Sequence, residues 1–274
     1  DLVITSDDNA FNFIKSRREN FFDRVPIVFC GVNYLKPSDI EGLTGFTGIN
    51  EKMDVQGNVS LIKNLHPGIE TIVVITDDTT TGKQNQTEVR RVAGLPENSG
   101  MDIQLICDIT IKELVNRVAA LSGNTAVLYT IFIRDKNDRF FEYEPTLKRV
   151  SDAASVPVYA TQNFTPGLNV VGGRLTNGFD QGSAAASKAV QILSGMPASA
   201  VPISWETPTH PRFDFRQLTR HHIDSERLPS DSDVLFRPVS LYRQHKLVIE
   251  ITAVIIGMLV IAFVGVSYGL IQSR

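Results

Sequence analysis

The sequence predicts an α/β protein, two Rossmann-like lobes followed by one C-terminal transmembrane helix. The boundaries fall at 1–210 for the lobes, 211–246 for a connector and 247–272 for the helix. Three observations predict this. Short apolar runs alternate with helical patterns up to about residue 200. One strand–helix–strand pattern occurs twice. The stretch Ile251 to Ile271, ITAVIIGMLVIAFVGVSYGLI, carries no charge. An α-helix rises about 1.5 Å per residue, so about twenty apolar residues span the hydrocarbon core of a bilayer.

Strands are expected at Leu2–Thr5, Ile27–Cys30, Thr71–Thr76, Ile103–Cys107, Ala126–Ile131, Val156–Ala160 and Asn169–Gly172. Several are apolar nearly throughout, as in parallel sheets covered on both faces. Helices are expected at Asn9–Phe22, Gly57–Asn64, Thr87–Ala93, Ile111–Leu121, Glu144–Ala154 and Gly182–Leu193. Ile111, Leu114, Val115, Val118 and Ala119 follow the spacing of one helix face, with Asp108 or Thr110 as the cap. This alternation argues for βαβ units with right-handed crossovers. Gly195 and Pro197 end the last of these helices. A closing strand at Val201–Trp205, a short amphipathic helix at Phe213–Ile223 and a polar turn after Leu228 follow. No Gly/Ser linker separates this tail from the apolar run, so the junction is expected to be stiff.

The repeated pattern is V-P-I-V-F-C-G-V-N at Val25–Asn33 and V-P-V-Y-A-T-Q-N at Val156–Asn163. Each follows a helix, and each helix follows an apolar strand ending in Thr. Two similar units imply two facing lobes with a ligand cleft between them, because open α/β sheets bind at the carboxyl ends of their strands.

The 274 residues carry a net charge of −3, so nucleic acid is not an expected partner. Cys30 and Cys107 are the only cysteines. Two cysteines define no zinc site, and Cys30 sits in an apolar run where a buried free thiol is expected. The chain opens on a strand-like segment without Met, and an N-terminal part is expected to be missing. G-x-S-x-G, Walker and H-E-x-x-H patterns are absent, so no catalytic residue, metal or cofactor is assigned. His221 and His222 are neighbours that diverge on a helix and belong to the surface. Arg134 and Asp135 read as a surface ion pair. Gly172 and Gly173 are too few for a phosphate loop and read as tight packing.

Candidate ligand-binding residues lie in the loops at strand ends. Ser6, Asp7, Asp8 and Asn9 open the first helix, where polar groups lie beside free N–H donors. Asn33 offers a donor and an acceptor, and Tyr34 a stacking face. Asp77, Thr79 and Thr80 follow a strand in the second lobe. Asn163 and Phe164 mirror Asn33 and Tyr34 through the repeat.

The segment Pro26–Gly57 resembles periplasmic substrate-binding proteins of ABC transporters, of the type I fold. So do Leu65-His-Pro-Gly before a strand and Val170-Val-Gly-Gly before Gly182-Ser-Ala-Ala-Ala. The tail, with Phe215-Arg-Gln-Leu, Ile223, Arg227-Leu-Pro-Ser-Asp-Ser and Arg237-Pro-Val-Ser-Leu-Tyr, is similar to the stretch that joins such a domain to a membrane helix in bacterial sensors. The resemblance implies an extracytoplasmic domain that binds a small molecule and signals to a cytoplasmic histidine kinase or diguanylate cyclase absent from this chain. The resemblance further implies that its first strand–helix unit is expected to be missing here. A membrane-anchored substrate-binding component of an ABC transporter is the alternative. Gly265 and Gly269 form a small-xxx-small pattern, and a homodimer is expected. Arg237, Arg243 and Lys246 precede the apolar run, and only Arg274 follows it. The positive-inside rule alone would put the lobes in the cytoplasm. The order of motifs in the resemblance puts them outside.

Overall fold

In the computed structural model, which describes residues 1–21, 23–238 and 246–272, the apolar runs form two largely parallel sheets. The strands are β1 (Val3–Ser6), β2 (Ile27–Asn33), β3 (Phe46–Glu51), β4 (Thr71–Ile75), β5 (Asp102–Ile106), β6 (Thr125–Tyr129), β7 (Val158–Ala160), β8 (Gly172–Leu175), β9 (His210–Asp214) and β10 (Asp233–Leu235). The helices are α1 (Asp7–Ser16), α2 (Arg18–Phe21), α3 (Val55–Leu65), α4 (Thr80–Ala93), α5 (Ile111–Ala119), α6 (Tyr143–Ala153), α7 (Gly178–Leu193), α8 (Phe215–Arg220) and α9 (Lys246–Gln272).

The N-terminal lobe holds the sheet β1-β2-β3, parallel throughout. Side chains alternate across a strand, so Ile27 and Phe29 face one side and Val28 and Cys30 the other. The first side packs on Phe11 and Ile14 of α1, where the Phe11 and Phe29 rings meet edge to face at 5.2 Å. The second packs on Ala185 and Ala189 of α7. The C-terminal lobe holds the order β10-β9-β8-β7-β6-β4-β5, parallel except for β8 against β9. Val73, Ile75, Val127 and Tyr129 pack on Leu114, Val118, Leu147 and Val150 of α5 and α6. Ile72, Val74, Ala126 and Leu128 pack on Val59, Ile62, Val89 and Val92 of α3 and α4. The repeated segments fall on equivalent units, β1-α1-β2 and β6-α6-β7.

Among the described residues no apolar cluster joins the two lobes. Three chain crossovers do so, after β3, after β8 and before β9. The third runs beside the first. Ser204 bridges Ile49 in parallel, and this single bridge is all that forms of the strand expected at Val201–Trp205.

Several expectations need correction. The strand expected at Asn169–Gly172 lies at Gly172–Leu175. Its two glycines sit at φ 142° and 157°, where a Cβ would lie 2.1 Å from Arg212 O and from Ala160 O respectively. Only glycine permits that approach. β3, β9 and β10 were not expected, because glycine, proline and polar residues interrupt FTGINE and HPRFD, and DVL is only three residues long. Phe213 and Asp214 end β9 rather than open a helix, and the Asp214 side chain caps the shorter α8. The compact unit runs from Asp1 to Leu235, so 211–235, expected in the connector, belongs to the large lobe. Burial of Phe213, Leu218 and Ile223 in its core is the reason. Arg134 reaches Asp138, while Asp135 is buried and accepts from the N–H groups of Asn137 and Arg139. Cys30 and Cys107 are free thiols, Cys30 buried.

Phe236–Arg274 forms a second unit. Its helix α9 has 27 residues, about 40 Å at the usual rise. Over Lys246–Phe263 the mean hydropathy is 2.4 and no residue is buried. It is long and apolar enough to cross a membrane, the one such helix among the described residues. Arg243 and the rest of 239–245 lie outside the described residues.

Candidate functional site

With both faces of each sheet covered, polar loops are left at the strand ends. A cleft of about 680 Å³ opens there, at the carboxyl ends of β1, β2, β4 and β6. One wall comes from α1 and the turn after β2, the other from the start of α4 and the loop after β6.

The N-terminal wall is acidic. Asp7 begins α1 at φ 77°, in the left-handed region, and its carboxylate accepts from Asp8 N–H at 2.7 Å. Asp8 accepts from the Asn33 backbone N–H at 2.9 Å and from its side-chain amide at 3.0 Å. Glu51 lies behind them. Burial pushes its carboxyl above the ordinary range, and the charges of Asp7 and Asp8 add to this. Register between β2 and β3 shifts after Phe29, a bulge in which Gly31 takes φ 65°. The bulge re-aims the strand end, as bulges do. Tyr34 follows at φ 50°, and its hydroxyl donates across the cleft to Asn85 Oδ1 at 2.6 Å. Burial pushes the Tyr34 phenol pKa well up.

The C-terminal wall is a helix start. The Thr79 hydroxyl caps α4 by accepting from Gly82 N–H, and it donates to Asp77 at 2.5 Å. The N–H groups of Thr80 and Thr81 have no intrahelical partner. Phe11, Val32, Leu35, Ile131 and Ile133 supply apolar surface between the walls. Among the described residues no three His, Cys, Asp or Glu side chains could hold a metal together.

A family model described as ABC transporter substrate binding protein matches residues 7–209. The chain belongs to this family. Solved structures share its fold. The ABC domain of a Streptococcus pneumonia protein in complex with L-Trp is 16% identical at TM-score 0.60, covering 86% of this chain and 79% of that one. A ligand-free, open substrate-binding protein with adhesive properties from Clostridium difficile is 18% identical at 0.61, covering 86% and 78%. A conserved domain protein from Vibrio cholerae is 14% identical at 0.57, covering 85% and 78%. No curated protein matches the chain.

In this substrate-binding protein the cleft brings together Asp7, Asp8, Asn9, Asn33, Tyr34, Thr79 and Thr80 of the residues singled out from sequence. Ser6 lies outside the lining, in extended conformation as the α1 N-cap residue. Asp77 is buried and also outside it. Its carboxylate accepts from Ile133 N–H at 2.9 Å and Thr79 N–H at 3.0 Å, so it ties together the two loops that form the C-terminal wall. Asn163 accepts from Arg212, and Phe164 is packed in the large lobe's core. The mirror of Asn33 and Tyr34 breaks there because β7 has three residues against seven in β2, and the chain leaves the sheet early. Sequence reading missed Phe11, Asn12, Lys15 and Gln84. The first three recur with Asp7 and Asp8 at the three- and four-residue spacing of one face of α1, a signal that was available.

Proposed function

We propose that this chain is an extracytoplasmic sensor domain of a bacterial membrane protein. A small solute enters the cleft and binds the closed arrangement of the lobes better than the open one. The population shifts by that difference in affinity. The tail passes the change to α9, and α9 to a cytoplasmic output domain of histidine kinase or diguanylate cyclase type. The observation that carries this reading is a two-lobed cleft in one chain with an apolar helix long enough to cross a membrane, the one such helix among the described residues. The large lobe faces the outside, and two copies pair through Gly265 and Gly269 of α9.

The walls favour a zwitterion with an apolar body. Asp7 and Asp8 attract an ammonium group. The start of α4, with its positive dipole end and the Thr80 and Thr81 hydroxyls, favours a carboxylate. The volume falls within the usual range for small-molecule sites. L-Trp in the pneumococcal neighbour is of this chemical class.

The test is calorimetric titration of the full chain in detergent with the twenty amino acids and a panel of small acids and sugars. A binder weakened at least tenfold by Asp8→Asn and by Thr80→Val supports the reading. A folded chain that binds nothing in the panel counts against it. The second reading, a membrane-anchored carrier that delivers solute to a permease, is favoured by the family itself. An output domain encoded beyond residue 274 would decide for the sensor.

A further inference from the structure

A second cavity, about 360 Å³, opens at the crossovers between the lobes. Its walls are ionic. Glu88 of α4 is only 7% exposed, and a buried carboxylate is stable only when paired. It accepts from Arg91 Nε and Nη2, each at 2.8 Å, and lies 3.3 Å from Lys52 Nζ. Burial raises its pKa, but the bonds from Arg91 and the charge of Lys52 prevail and hold it below the ordinary range. Arg91 is on the same helix as Glu88 and moves with it. Lys52 is not. It sits on the first crossover, between β3 and α3.

The other crossovers are tied to this one. Lys52 N–H donates to Thr207 Oγ1 at 2.6 Å, and Asn50 N–H to Ser204 O at 2.9 Å. Arg174, at the end of β8, donates to Asp54 at 2.7 Å and to Thr209 at 3.1 Å. One polar group from each crossover therefore meets at Arg174, and the hinge moves as a unit.

α4 connects this hinge to the cleft. Thr80, Thr81 and Gln84 in its first turns line the cleft. Asn85 receives the Tyr34 hydroxyl from the opposite lobe. Glu88 is one turn further on and reaches Lys52. A helix is stiff over this length, so rotation of one lobe against the other must change the distance between Glu88 and the crossover. We propose that the Lys52–Glu88 pair is a hinge clasp that sets the resting angle between the lobes. It does so from outside the cleft, which neither residue lines. Loosening it redistributes the open and closed arrangements before any ligand arrives.

The test needs no ligand, so it stands apart from the function proposed above. Spin labels go on the full chain in detergent at Ser187→Cys in α7 and Lys112→Cys in α5, both exposed, in a Cys30→Ala, Cys107→Ser background. Pulsed dipolar spectroscopy then reads the distance between the lobes. Lys52→Met and Glu88→Gln are expected to shift or broaden the distribution in the same way. Their combination should do no more than either alone. The charge swap Lys52→Glu with Glu88→Lys should move it back toward the parent. Lys52→Met guards against misfolding, since the Lys52 side chain is 40% exposed and keeps its apolar stem. A Lys52→Met distribution superimposable on the parent's, with an unchanged unfolding midpoint, overturns the proposal. So does a double variant whose shift is the sum of the two single shifts.

Discussion

Tyr34→Phe removes one oxygen and, with it, the partner of a fully buried amide. Asn85 has no exposed surface, and its Nδ2 already lacks a hydrogen-bond partner among the described residues. Without the Tyr34 hydroxyl at 2.6 Å its Oδ1 is unpaired as well. Leaving one buried acceptor unsatisfied costs about 1–3 kcal/mol. A loss of about 2 kcal/mol corresponds to a fall of about 4–8 °C in melting temperature for a unit of this size. Thermal unfolding of the full chain in detergent, followed by circular dichroism, reads it. Asn85→Leu tests the cause. It removes the buried amide, so adding Tyr34→Phe to it should cost much less than Tyr34→Phe alone. A coupling of about 1 kcal/mol or more is expected, since residues in direct contact show 0.5–3 kcal/mol. Two substitutions that add to within about 0.3 kcal/mol would refute the reasoning. A Tyr34→Phe midpoint within about 1 °C of the parent's would do the same, because a water would then be serving Asn85.

Gly173→Ala should lower stability by at least about 2 kcal/mol in urea unfolding, because its Cβ would meet Ala160 O at 2.1 Å and Asn58 Oδ1 at 2.9 Å. Gly178→Ala, with open space around the added atom, should instead raise stability by about 0.5 kcal/mol. Asp54→Ala should cost about 1–2 kcal/mol, since Asp54 caps α3 through Gly57 N–H at 2.8 Å and pairs with Arg174. Asp54→Asn, which keeps the cap, should cost about half as much by the same urea assay. His221 is pushed down to about 4, first by burial and then by the charges of Arg220, His66 and His222. The unfolded chain therefore takes up the proton first, near the ordinary value of about 6.5. Stability should fall as pH drops from 6.5 to 4 and level off below, by about 1 kcal/mol once screening around a partly exposed ring is allowed for. Melting at pH 7.5 and 4.5 should show a smaller acid loss in His221→Gln than in the parent, and an equal loss would discard this account.

Most of the α/β alternation was legible because buried parallel strands must be apolar on both faces. Ile27–Cys30, Thr71–Ile75 and Ala126–Tyr129 are short apolar runs rich in β-branched and aromatic residues, which favours a buried strand over a helix segment. The strands that escaped mix their buried apolar residues with buried glycine, proline or polar ones, as in β3 and β9, or have no fully buried residue, as in β10. Gly48 in β3 leaves room for Phe29, and β9 and β10 lie at the end of the sheet beyond the antiparallel switch. The segment 211–235 looked like a connector because its apolar residues are isolated in sequence. Phe213, Leu218 and Ile223 converge only after the chain turns through β9 and α8. At the cleft, polar runs after strands pointed to Asp7, Asp8, Asn33 and Thr79 because a strand's carboxyl end is where a buried sheet opens to water. They also pointed to Asp77, which faces inward. A carboxylate that organises a loop and one that faces the cleft have the same sequence signature. What separates them is whether four backbone and hydroxyl donors already surround them, as they do at Asp77.

The division of the core bears on how readily the lobes can move. Each sheet buries its apolar residues against its own helices, and the clusters do not merge. Opening a shared apolar core would cost about 25 cal/mol for every Å² exposed, which over an ordinary domain interface amounts to tens of kcal/mol. The bonds that link the lobes here are polar. Among the described residues they include Tyr34 to Asn85 across the cleft and, at the crossovers, Lys52 to Glu88, Lys52 to Thr207 and the short parallel pairing of Asn50 with Ser204. Such bonds exchange with water, and each contributes about 0.5–1.5 kcal/mol net. Their sum is a few kcal/mol. Moving a two-state equilibrium from mostly one form to mostly the other takes about 5.5 kcal/mol of differential binding. That is within reach of a small solute held on both walls of a cleft of 680 Å³. Two separate cores joined by polar contacts therefore give lobes that are individually rigid and an angle between them that binding can change.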